Sequence, residues 1–210
     1  MSTAARITKQ PQATPLTDMI PPFPVRRFTV EEYHGMLESG VLTSREPYEL
    51  IHGWIVPKMG INPPHNYAVN TLMEQFGLLA RASGNCTVRV QQPITTTDSE
   101  PEPDVVLAAG SKADYKVKNP GPAEVHIVIE VADSSLRLDK TTMLQLYAGA
   151  KVAVYWIVNL NERRVEVYTQ PRGGKSPTYK QQTNYGVDDE VSVMVAGKEI
   201  GRIPVKELLP

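Results

Sequence analysis

Residues 125–158 constrain the fold more than any other stretch of this chain. Val125 to Val131 is a short apolar run rich in branched residues, Leu136 to Ala150 reads as a helix, and Ala153 to Val158 is a second buried strand. Earlier in the chain, Asp104 to Ala108 is another core strand, and Thr87 to Thr97 alternates around Val88, Val90 and Ile94. Before these, Val69, Leu72, Met73, Phe76, Leu79 and Ala80 recur at helical spacing up to Gly84. Strands alternating with two long helices predict an α/β fold, α+β at the margin, with a mixed sheet carrying helices on its faces.

The flanks are simpler. Thr29 ahead of Glu31 and Glu32 signals a short first helix that ends at Gly40. Tyr48 to Val56 suggests two short strands or a hairpin turning at His52-Gly53, and Arg164 to Thr169 pairs with the strand before it across Asn159 to Glu162. Weak strands after Gly173-Gly174 add a C-terminal β segment. Residues 1–27 lack periodicity and read as a tail or surface strap, leaving 28–210 as one domain. Trp54 and Trp156 are expected in the core.

Composition narrows the function. With 210 residues, one well-buried domain is the expectation. A formal net charge of -1 gives no global positive field, so nucleic-acid binding would rely on local basic groups or on metal. Cys86 is the single cysteine, which excludes an internal disulfide and a cysteine-based zinc site and fits a reducing cytoplasm. Neither a secretory signal nor a membrane-spanning run is visible, so a cytoplasmic chain without membrane contact is expected.

Two acids stand where acids are costly. Glu130 interrupts the strand His126-Ile127-Val128-Ile129-Glu130-Val131, and Asp104 opens the strand after Pro101-Glu102-Pro103. Carboxylates converging from adjacent strands are what a hard Mg²⁺ (or Mn²⁺) ion requires, and such an ion activates water against a phosphodiester. Taken singly, each acid has a bland reading, an ion pair for Glu130 and a turn cap for Asp104. Glu49, flanked by Tyr48 and Leu50, is a third acid of this kind or an outward-facing strand residue. His65, at the start of the second helix, could reach a phosphate or position a water, or simply be a satisfied histidine at a helix entry. Lys140 shares a helix face with Leu136, Met143, Leu144 and Tyr147, so it is the candidate cation for offsetting developing negative charge, or a lysine snorkelling past the helix start. Asp133-Ser134-Ser135 is read as a cap for that helix.

These strings together, YELIHG from Tyr48, PEPDVV, VIEVADSS and DKTTMLQLYAGAKVAVYWIVN, resemble the Uma-two family of restriction-endonuclease-like proteins in the PD-(D/E)xK nuclease superfamily, from about Phe28 to Tyr168. The resemblance implies a restriction-endonuclease-like sheet and Mg²⁺-dependent hydrolysis of nucleic acid, DNA in the first instance, with a homodimer as one arrangement that cuts two strands. It matches Asp104 and Glu130 to the split acidic motif, Glu49 to the upstream acid and His65 to a histidine of the second helix. Two departures stand out. The lysine that normally follows the glutamate by two residues is Ala132, and the family's helix lysine is Met143. Lys140 lies one turn before Met143 and about 60° around the helix, which makes it the candidate substitute. The alternatives are a degraded nuclease fold that only binds nucleic acid or protein, and a structural protein whose acids are ion-paired.

Overall fold

The computed structural model describes residues 24–43, 47–58, 60 and 62–210. Most of the expected N-terminal tail, 1–23, lies outside them. Helix α1 (Val30–Glu38) is entered through a capping box, Thr29 accepting from the Glu32 backbone while Glu32 bonds back. Strands β1 (Tyr48–Ile51) and β2 (Trp54–Pro57) form a hairpin. Its two turn residues, His52 and Gly53, both have positive φ, as the tight turn requires. A Cβ on Gly53 would stand 2.6 Å from the Arg27 Cβ, so only glycine fits there.

Helix α2 (Pro63–Ser83) begins at Asn62, whose side chain caps the His65 N–H, and stops at the left-handed Gly84. The central sheet has the order β3 (Cys86–Val90), β4 (Val105–Ala109), β5 (Val125–Ala132), β6 (Val154–Asn159), β7 (Arg164–Arg172), β8 (Thr178–Tyr185). Only β5 and β6 run parallel, joined by α3 (Leu136–Leu138), a π-helical turn (Asp139–Met143) and α4 (Leu144–Gly149). The fold class is therefore the mixed α/β sheet flanked by helices that the strand and helix order predicts. A separate hairpin, β9 (Glu190–Val195) with β10 (Lys198–Pro204), and the short α5 (Val205–Leu208) form the C-terminal segment.

Strand alternation divides the core. Val105, Leu107, Ile127, Ile129 and Trp156 pack against Val69, Leu72 and Phe76 of α2, with the C-terminal hairpin beside them. Phe76 meets Trp156 edge-on at 5.5 Å, and truncating either to Ala would cost about 3–5 kcal/mol. On the opposite face, Val106, Val128 and Ile157 receive Met143, Leu146 and Tyr147. Asp104 and Glu130 belong by parity to this second face.

Three expectations need correction. The Thr87–Thr97 strand ends at Val90, because Gln91 has positive φ and Pro93 follows. Trp54 is only half-buried and lies under the Arg27 guanidinium, 5.8 Å from its centroid, so Trp156 alone is core. Ser135 makes no side-chain cap bond with α3; its hydroxyl donates instead to Asp139 at 2.6 Å.

Candidate active site

The site is built where β4 begins and β5 ends. The register Val105↔Ile129 sets Asp104 opposite Glu130 on one face of the sheet. The Asp104 N–H donates to Glu130 Oε2 at 3.2 Å, and the Val131 N–H donates to Asp104 Oδ2 at 2.8 Å. These bonds fix both acids at the sheet end. Tyr147 of α4 reaches down from the covering helix and donates its hydroxyl to Glu130 Oε1 at 2.7 Å. His65, placed by the first turn of α2, brings Nε2 to 3.0 Å from Asp104 Oδ2. Its Nδ1 is buried without a partner among the described residues. Glu49 reaches the same region from β1 and accepts the Glu102 N–H at 3.1 Å, while Lys58 pairs with Glu102 beside it.

Asp139 is the residue that sequence reading missed. It is 5% exposed, and its charge is felt at Glu130. The signal was present: Leu136, Asp139, Met143 and Leu146 follow helical spacing, so an acid occupies a position of the apolar stripe. The π turn matters as well. The Leu144 N–H bonds to the Asp139 carbonyl, five residues back, which shifts the phase of the helix at this point.

That change of phase bears on Lys140. Its ammonium lies 2.8 Å from Glu166 Oε1 on β7, not on Asp104 or Glu130. Ala132 and Met143, the two positions where a lysine was expected by resemblance, are both buried in the apolar cluster.

The electrostatics are those of crowded acids. Burial, then Asp104 and Asp139, push the Glu130 carboxyl well above its usual range, against the Tyr147 hydrogen bond that lowers it. Asp139 is pushed up to about 7 by burial, aided by the charges of Asp104 and Glu49, although the Ser135 hydrogen bond opposes the rise. Glu49 also rises to about 7, chiefly by burial. Burial alone would lower His65, but its hydrogen bond to Asp104 and that carboxylate's charge outweigh it, so its imidazole protonates above the ordinary range.

Carboxylate oxygens in a cluster short of positive charge are the donor set of a hard divalent cation. Among the described residues, no three His, Cys, Asp or Glu side chains are already drawn together at metal-holding spacing. An ion here would be held by Asp104 and Glu130, with Glu49 or Asp139 beside them and waters completing the shell, as Mg²⁺ commonly retains.

Comparison with known proteins bears on the family and the fold. No curated protein matches the chain. A solved structure from Anabaena variabilis, described as "a putative nuclease", superposes with a TM-score of 0.63 at 14% identity, covering 86% of this chain and 97% of that one. At that identity the likeness concerns the fold. Among the described residues, no helix is long and apolar enough to cross a membrane. Residues 30–201 match the family described as "Putative restriction endonuclease", and the chain belongs to that family, Uma2.

Proposed function

We propose that the protein is a Mg²⁺- or Mn²⁺-dependent endonuclease that hydrolyses phosphodiester bonds of nucleic acid, DNA in the first instance, acting in the cytoplasm and as a homodimer where both strands are cut. The observation that carries this reading is the cross-strand pair Asp104–Glu130, locked by two backbone hydrogen bonds at the sheet end and near enough to Glu49 and Asp139 for their charges to be felt at Glu130. A bound divalent ion would supply Lewis-acid stabilisation of the phosphoryl oxygens and a water acidic enough to attack at neutral pH.

The chain's own residues have separable tasks. Asp104 and Glu130 would hold the ion, with Glu49 as an accessory ligand. His65, hydrogen-bonded to Asp104, orients that carboxylate and can hand a proton to the leaving oxygen. Tyr147 fixes the rotamer of Glu130. Lys140 supplies positive charge toward the substrate from the covering helix.

A second reading, a nuclease fold that has lost cleavage and keeps binding, is favoured by one observation: Ala132 and Met143 put no lysine beside Glu130. Incubating duplex DNA with the protein and Mg²⁺ or Mn²⁺ separates the two. The first reading expects nicked or cut product that falls to background in Asp104→Asn and Glu130→Gln. Binding without product in either metal supports the second.

A further inference from the structure

Glu166 on β7 is a charged group that the chemistry above does not use. Its side chain is 0% exposed. Oε1 accepts from the Asn159 amide at 2.8 Å and Arg164 Nε at 3.0 Å, with the Lys140 ammonium 2.8 Å from the same oxygen. Oε2 accepts from the Tyr168 hydroxyl at 2.7 Å. Burial alone would raise this carboxyl, but its hydrogen bonds from Lys140, Asn159, Tyr168 and Arg164 hold it down to about 2.

One buried anion needs one cation, and this one has two. Lys140 arrives from the π turn and Arg164 from the start of β7, and each side chain keeps 30% of its surface exposed. Arg164 also touches Glu162 at 2.6 Å, but that carboxylate is itself 45% exposed and can turn away into water. An ammonium offers three donors and a guanidinium five, so both retain N–H groups for an anion after Glu166 is satisfied.

The sheet fixes where this pair sits. Glu130, Ile157 and Glu166 are in register across β5, β6 and β7, and so are Ala132, Asn159 and Arg164, all on the face that carries Asp104. Two interstrand steps of about 4.8 Å put Glu166, the carboxylate both cations contact, roughly 10 Å from Glu130 along the sheet. A duplex carries a phosphate charge every ~1.7 Å of its axis, so a backbone engaged at Glu130 has other phosphates within that reach.

We propose that Lys140 and Arg164, clamped by the buried Glu166, form a second backbone-phosphate subsite that registers nucleic acid across the acidic centre, with Glu166 as its positioning residue. The inference rests on the nucleic-acid reading above but requires no cleavage. It accounts for Lys140 pairing with Glu166 and not with Asp104 or Glu130: the positive charge it supplies toward the substrate falls on a neighbouring phosphate.

The test is the salt dependence of binding to a short DNA duplex, followed by fluorescence anisotropy in chelator, so that metal and cleavage play no part. Lys140→Gln and Arg164→Gln should each lower the slope of log K against log salt by about 0.9, and Arg164→Lys should keep it. The same substitutions in a Glu166→Gln background leave no buried charge unpaired and serve if the single variants do not fold. Wild-type slope in both glutamine variants overturns the subsite, as does wild-type binding that ignores salt. Lowered slopes with no cleavage under any condition uphold the subsite and defeat the endonuclease reading instead.

Discussion

Asp139→Asn tests the acidic centre most directly. The side chain is almost fully buried, accepts the Ser135 hydroxyl and feels the charges of Asp104 and Glu49, and its carboxyl stands at about 7 where an unfolded chain would titrate near 3.8. Between about pH 4 and pH 7 the folded protein therefore holds a proton that the unfolded chain has released. A raised acid of this kind contributes most below its unfolded pKa, and stability is lost as pH climbs toward the folded value. Each tenfold change in proton affinity is worth about 1.4 kcal/mol, so a roughly thousandfold difference between folded and unfolded chain amounts to about 4 kcal/mol. That is an upper figure, because Glu130 and Glu49 share the same repulsions. Asparagine keeps the shape and an acceptor for Ser135 but never ionises. Urea unfolding in chelator, at intervals from about pH 4.5 to pH 8.5, should show wild-type stability falling with pH and a flatter curve for the variant, by on the order of 1–4 kcal/mol across the range. Parallel curves would refute the claim that Asp139 belongs to a crowded, charge-frustrated cluster.

Other outcomes follow from the same geometry. Mg²⁺ or Mn²⁺ at a hundredfold excess over its Kd should raise the unfolding free energy by about 2.7 kcal/mol, with the gain growing as pH rises and vanishing in Glu130→Gln; identical melts with and without metal would show that no specific ion binds. Met143→Lys places an ammonium on the helix face between Asp139 and Tyr147, so the pH dependence in chelator should flatten as in Asp139→Asn, and a melt as pH-sensitive as wild type would count against that placement. Glu166→Ala strips Lys140, Arg164, Asn159 and Tyr168 of a common acceptor and should cost about 3–5 kcal/mol near neutral pH. Its contribution is present above about pH 4.5 and lost as pH falls toward about 2, so the gap from wild type should close in strong acid; a loss under about 1 kcal/mol at neutral pH would mean the cluster is not holding the sheet.

The sequence by itself determined the elements and the identity of the central acids. Branched apolar runs and helical stripes specify strands and helices because each must bury a face, and an acid inside such a run is visible because ionised groups there are costly unless compensated. Asp104 and Glu130 stand out in the sequence for that reason, with Glu49 open between this reading and an outward-facing strand residue, and the alternation of strands with two long helices stands out as well. Only the tertiary structure decided which groups share a region. Helical spacing puts Asp139 on the apolar stripe, but only the β5–β6 crossover, which lays that helix over Glu130, shows that it joins the other acids. Lys140, one residue further on, goes to Glu166, which alternation had hidden within an ordinary hairpin strand. Register across three strands, a property of backbone pairing between distant segments, is what set Glu130 and Glu166 in one row and made two charged centres of a single sheet face.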